Sequence, residues 1–234
     1  MRSTFLLVHG AWHGGWCWRR VEDRLRARGA RVYAPTLTGL ADRDHLATPE
    51  VGLATHVADV VRLAEVEGLS EVVLVGHSYG GMVATGACAH LQGRQRAIVM
   101  LDAFMPAAGQ SMLDVSPRSA GMVEAARAKG EWKLPPIPAA AFKVNEADRA
   151  WVDAQCTPQP IATFTEPVSA SAVAARDRLQ AKAYIRATAT DSPWFDSALA
   201  HARSAGWRTW EVPCGHDVML DMPDRLTEIL LEVE

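Results

Sequence analysis

The sequence predicts an α/β protein: a mainly parallel sheet of about six strands, helices on both faces, and a segment inserted over one end. Three observations carry that expectation. Short apolar runs of strand length alternate with stretches of helical periodicity up to residue 101, and again from 181 onward. Between these regions the alternation breaks, and eight prolines fall between Ala103 and Arg178. Finally, a Gly-x-Ser-x-Gly turn stands where a strand gives way to a helix.

The elements follow in order. Thr4 to Val8 reads as a strand buried on both faces. Trp16 to Ala27 has the spacing of an amphipathic helix, with Gly29 to end it. Arg31 to Ala34 is a short strand, and a polar loop runs on to about Pro49. Thr55 to Glu67 places Val57, Val60, Val61 and Ala64 on one helix face and stops at Gly68. Glu71 to Gly76 is a strand, Tyr79 to Leu91 a helix and Arg96 to Leu101 a strand. Helical pieces near Gly121 to Lys129 and Asn145 to Gln155 interrupt the proline-rich stretch. The strand Ala181 to Ala187, the helix Trp194 to Ala205, the strand Trp207 to Val212 and the helix Pro223 to Val233 complete the chain. The expected division is a core of residues 1–102 and 179–234 and an inserted lid, or cap, of residues 103–178. Such a lid leaves the sheet at a strand's carboxyl end, where open α/β sheets bind ligands.

A chain of 234 residues suits one domain with an insertion. The net charge is -3 and no Lys/Arg block occurs, which argues against a nucleic-acid partner. Apolar runs such as Phe5 to Val8 have strand length, so neither a membrane span nor a membrane partner is expected. The N-terminus enters a strand without the longer apolar stretch of a signal peptide. Cys17, Cys88, Cys156 and Cys214 form no C-x-x-C pair and read as reduced thiols of a cytoplasmic protein. No H-E-x-x-H and no phosphate loop occurs, so neither metal nor cofactor is expected. The oligomeric state, a homodimer included, is left open.

The chemistry gathers at strand ends. Gly76-His77-Ser78-Tyr79-Gly80 follows an apolar strand and precedes a helix. A turn that sharp strains the serine and projects its hydroxyl at the helix N-terminus, where negative charge is favoured. A serine hydroxyl needs a base. Of eight histidines, His216 in Cys214-Gly215-His216-Asp217 sits between the last strand and the last helix, the place a partner of this turn takes. His201 falls within a helix, and His45, His56 and His90 read as loop or helix-surface positions. The first loop, His9-Gly10-Ala11-Trp12-His13-Gly14-Gly15, leaves the same edge of the sheet. Its Ala11 amide and that of Tyr79 are the expected donors to an oxyanion.

These three segments, the first loop extended to Trp16 and the turn to Gly81, together resemble one group. It is the α/β-hydrolase branch that holds plant methyl esterases, hydroxynitrile lyases and related bacterial esterase-like proteins. Asp102-Ala103-Phe104-Met105-Pro106 also resembles the bacterial members. The resemblance implies the α/β-hydrolase fold and a serine nucleophile. Hydroxynitrile lyases of the branch carry a threonine after the first-loop histidine and a lysine after the catalytic histidine. Here Gly10 and Asp217 hold those places, and an aspartate would repel a departing cyanide. Ester hydrolysis through an acyl-enzyme is therefore expected, with lyase-like or other non-hydrolytic chemistry and non-catalytic ligand binding as alternatives.

The triad acid has two candidates. Relatives place it after the strand that follows the lid, and counting from Tyr184 that position falls on Thr190, one short of Asp191. Asp191-Ser192-Pro193 also reads as a helix cap followed by proline. Asp102 lies 24 residues beyond Ser78 (102 − 78) at the end of the strand after the turn. That resembles the place of the acid in haloalkane dehalogenases, and Asp102 is the favoured choice. Apolar lid residues, including Phe104, Met105, Met112, Met122, Trp132, Phe142, Trp151 and Phe164, suit a small apolar or aromatic ester. Trp12, Phe104, Met105 and Trp132 are the expected pocket residues.

Overall fold

A computed structural model describes residues 3–233. Six strands form the main sheet: β1 (Thr4–Val8), β2 (Arg31–Tyr33), β3 (Val72–His77), β4 (Gln95–Leu101), β7 (Ala181–Ala187) and β8 (Arg208–Val212). Their order is β2-β1-β3-β4-β7-β8, and each neighbouring pair is parallel. Two short strands, β5 (Lys133–Leu134) and β6 (Gln159–Pro160), pair antiparallel in the insertion. Two-residue strands carry no periodicity, so the sequence does not announce them.

The apolar runs become central strands because both faces are covered. Leu6, Val8 and Leu74 point into one core cluster, and Phe5, Leu7, Val73 and Val75 into the other. From β1 the chain steps to β2 on one side and to β3 on the other, which opens a crevice at their carboxyl ends. Val8 pairs with Gly76, so the loops after β1 and β3 emerge side by side.

The stretch from Trp16 is not one helix. Gly15–Trp18 is a 3-10 turn and the α-helix runs over Arg19–Ala27. Gly15, Trp16, Cys17 and Trp18 are all buried, and four consecutive buried residues cannot sit on one face of an α-helix. Between β4 and β7 lie five short helices: Met112–Val115, Pro117–Arg127, Glu146–Gln155, Ala162–Thr165 and Ala170–Arg178. Ser116 caps the second, with Pro117 at its first position, and Asn145 caps the third. Met112, Val123, Leu134 and Phe164 share one core cluster with Leu74 and Tyr79, so this segment packs into the sheet's own core. Among the described residues no helix is long and apolar enough to cross a membrane.

Candidate active site

Ser78 stands between β3 and the helix Gly80–Cys88 with φ of 53°, a left-handed conformation that side-chain-bearing residues rarely adopt. Such strain costs about 1–3 kcal/mol and persists only where neighbours enforce it. Here the Ser78 amide donates to Leu101 O (3.2 Å), and Ser78 O accepts from the Gly81 and Phe104 amides (3.0 and 3.2 Å). A β-carbon on Gly76 would lie 2.5 Å from Gly80 O, and one on Gly80 would lie 2.6 Å from Val8 O. The flanking glycines thus meet a steric demand of the turn.

Asp102 directly follows β4 with φ of 40°, and its amide donates to Ile185 O (2.7 Å). Its carboxylate is fully buried. His216 Nδ1 donates to Asp102 Oδ2 at 2.7 Å, while Asp102 Oδ1 accepts from Arg186 Nη1 (3.0 Å) and the Ala187 amide (3.1 Å). A carboxylate only accepts, so in the neutral ring the His216 proton sits on Nδ1 and Nε2 carries the lone pair that a base requires. The ring stacks on Phe195, with centroids 5.1 Å apart and planes at 14°. Asp191 is exposed at the cavity rim, and Ser192, not Asp191, is the N-cap of the helix Pro193–Ser204. At the position where relatives place the acid stands Thr190, whose carbonyl and hydroxyl oxygens both accept from Arg186. The buried Arg186 cation therefore spans both places. A charged residue near the carboxyl end of a strand, in the Tyr184-Ile185-Arg186-Ala187 run, is the signal for it, since buried charges require partners.

Trp12, too, has a left-handed backbone, with φ of 66°. Its amide donates to Gln159 Oε1 (2.9 Å), its indole to Leu134 O (3.2 Å), and its carbonyl accepts from the Thr157 amide (3.0 Å). The insertion thereby grips the first loop at three points. Neither the Ala11 nor the Tyr79 amide has an acceptor among the described residues.

Ala11, Trp12, Ser78, Tyr79 and His216 line one small cavity of about 100 Å³, closed mainly by Phe104, Met112, Met122, Phe142, Phe164 and Phe195. No hydrogen bond joins Ser78 Oγ to His216 among the described residues, a contact that often tightens only with substrate bound.

Several expectations need correction. Trp132 is 39 % exposed and lies over Lys133 (5.0 Å), because in the short strand that follows it is Leu134 that turns inward. Met105 lines an adjoining groove of about 460 Å³, not the cavity. Trp151 packs edge-on against Trp16. His56 is fully buried between Tyr79 Oη and Thr38 O (both 2.9 Å), so its place on the helix is the inner face. Asp217 is fully buried and faces His13 rather than the cavity, so charge repulsion in the cavity is not its role. The stronger argument is at Gly10, where a β-carbon would come within 2.9 Å of His77 Nδ1 and 3.0 Å of Ser78 Cβ, leaving no room for threonine.

A profile described as the alpha/beta hydrolase family matches residues 5–229. A carbendazim hydrolyzing esterase of Nocardioides sp. (strain SG-4G) is 41 % identical over 97 % of this chain and 98 % of its own. Among solved structures, an extracellular alpha/beta-hydrolase from a Paenibacillus species superposes with a TM-score of 0.85 at 23 % identity, covering 99 % and 98 % of the two chains. Tomato methylketone synthase I superposes with a TM-score of 0.82 at 18 % identity, covering 100 % and 97 %. At those identities the solved structures speak for the fold alone. The matched profile and the near-full-length esterase relative show that the chain belongs to the alpha/beta hydrolase family, among its carboxylic ester hydrolases.

Proposed function

We propose that the protein hydrolyses small apolar or aromatic carboxylic esters through a serine acyl-enzyme. The observation that carries this reading is the 2.7 Å bond to buried Asp102 from His216, which lines the same cavity as strained Ser78. Ser78 Oγ attacks the ester carbonyl as His216 Nε2 takes its proton. Asp102 holds the tautomer and stabilises the imidazolium that forms. The Ala11 and Tyr79 amides receive the negative charge that develops on the carbonyl oxygen. His216 then protonates the leaving alcohol, activates water against the acyl-enzyme and returns the proton to Ser78. Residues 103–178 act as the cap that closes this chemistry from above.

Cavity size and lining set the substrate class. About 100 Å³ walled by Trp12 and four phenylalanines admits a short or flat acyl group and rejects a long chain. The name of the Nocardioides relative adds carbendazim to the compounds worth testing. The test is a panel of p-nitrophenyl and methyl esters of graded acyl size, with carbendazim included. Ser78→Ala should lose on the order of 10⁴-fold or more in turnover while keeping its circular dichroism spectrum. A folded Ser78→Ala variant with wild-type turnover would refute the nucleophile.

A further inference from the structure

Five buried histidines surround the site, and hydrogen bonding fixes the charge state of one of them differently from the others. A neutral imidazole has one donor and one acceptor nitrogen, whereas an imidazolium has two donors. His9 Nδ1 donates to Gly10 O (2.8 Å) and Nε2 accepts from the Leu37 amide (3.0 Å), which is a neutral ring. His56 donates through Nε2 to Thr38 O and accepts at Nδ1 from the Tyr79 hydroxyl, again neutral. His77 donates through Nε2 to His216 O (3.1 Å), and its Nδ1 is bare. His13 is different. Its Nδ1 faces Ala11 O at 2.7 Å and its Nε2 faces Asp217 Oδ2 at 3.1 Å; a carbonyl oxygen accepts, and so does the carboxylate when Asp217 is ionised.

We propose that His13 is a resident imidazolium, and that its buried ion pair with Asp217 positions the oxyanion loop at Ala11. The pair is 2 % and 0 % exposed. It ties the loop after β1 to the residue next to His216, so the two halves of the site share one fastening. His9 grips Gly10 O and His13 grips Ala11 O, so the peptide planes on both sides of Ala11 are held. The first of these planes carries the Ala11 N–H. His13 and Asp217 are positioning residues: neither lines the cavity.

The surrounding charges agree. His9 from the same loop, His77 from the end of β3 and His216 from the loop after β8 face the pair, with the thiols of Cys17 and Cys156 behind it. Burial lowers the His13 pKa, but the charge and hydrogen bond of Asp217 outweigh it and raise the value overall. Burial raises the Asp217 pKa, but His13 outweighs it and holds the carboxyl well below the usual range. Burial also keeps both thiols neutral, pushing Cys156 up to about 12.

The positioning role rests on the hydrolase reading above, so the test has two arms. Nitrogen-15 NMR of the wild-type protein should show both His13 ring nitrogens still protonated at pH 7, where an ordinary histidine is mostly neutral. Asp217→Asn should lose that state. It should also lower kcat about tenfold, a fraction of the 10²- to 10³-fold that losing an oxyanion donor costs. A trifluoromethyl ketone, whose adduct with Ser78 carries the oxyanion, should bind about tenfold more weakly, with KM within twofold. His13→Gln should match it. A wild-type His13 with one bare nitrogen at pH 7 overturns the proposal. So does a loss of kcat without loss of inhibitor affinity, or variants that keep both. If Asp217→Asn fails to fold, the wild-type NMR state and His13→Gln still decide. Failure of the hydrolase reading has a different signature, ester turnover that survives Ser78→Ala, and leaves the NMR result standing.

Discussion

Replacing Asp102 by asparagine tests the acid assignment through a feature of its surroundings. Asp102 Oδ1 accepts from two donors, Arg186 Nη1 and the Ala187 amide, and Oδ2 faces His216 Nδ1. An asparagine must present its carbonyl oxygen to the two donors, which turns its NH2 toward His216. The imidazole then accepts at Nδ1 and carries its proton on Nε2, facing Ser78 with a donor where a base is required. A wrong tautomer of this kind lowers kcat by roughly 10³- to 10⁴-fold, or about 4–5.5 kcal/mol in the barrier. The fold should survive, because Arg186 keeps its bonds to Thr190 O (2.7 Å) and Asp196 (2.8 Å). The assay is kcat on the best ester of the panel, beside a thermal melt. Asp191→Asn is the control: Asp191 is exposed and precedes the helix cap, so it should change kcat less than twofold. A crippled Asp191→Asn beside a near-normal Asp102→Asn would refute the assignment.

Three further outcomes follow from the buried histidines and from the cavity. Burial lowers the pKa of His9 to about 3 and of His56 to about 4, and that of His77 well below the ordinary value of 6.5. The unfolded chain therefore binds more protons in acid, and the stability these groups confer is whole above about pH 6.5 and drains away as pH falls toward their folded values. His13, with its raised pKa, binds more protons folded than unfolded near pH 6.5, so it opposes this slope at the top of that range and adds none well below it. The urea midpoint should fall between pH 6.5 and 4.5 with uptake of about two to three protons on unfolding; a flat midpoint would contradict the neutral rings. Mandelonitrile should release no cyanide above background, since Gly10 leaves no room for a threonine and no lysine lines the cavity among the described residues; rapid Ser78-dependent release would reverse the choice of hydrolysis over lyase chemistry. Trp194 and Phe104 wall both the cavity and the adjoining groove. Trp194→Ala should join the two spaces and raise kcat/KM for p-nitrophenyl octanoate over acetate about tenfold; an unchanged ratio would place the size limit elsewhere.

Much of this architecture is legible in the residues. Strands such as Thr4–Val8 read directly, because a strand buried on both faces shows as a continuous apolar run. The turn around Ser78 announces itself because its backbone tolerates few residues other than glycine at Gly76 and Gly80. The insertion is less legible: helices such as Met112–Val115 and Ala162–Thr165 are too short for a period to register. Trp132 misleads because an exposed aromatic and a pocket aromatic are identical in sequence. Arg186, Gln159 and the His13–Asp217 pair escape for another reason. Their partners lie 84, 147 and 204 residues away, and no local pattern encodes such pairings.

The grip of Gln159 on Trp12 also bears on how the enzyme comes into being. Loop closures of this span form late, because their entropic cost precedes any gain. A nascent chain that has released β1 to β4 already possesses the serine turn, yet its first loop waits for β6 to be synthesised. Ordering of the first loop should therefore lag behind the pairing of β1 to β4. The same dependence restricts evolution. The segment that supplies Met112, Met122, Phe142 and Phe164 to the cavity cannot be exchanged freely, since whatever replaces it must also supply the hand that holds Trp12.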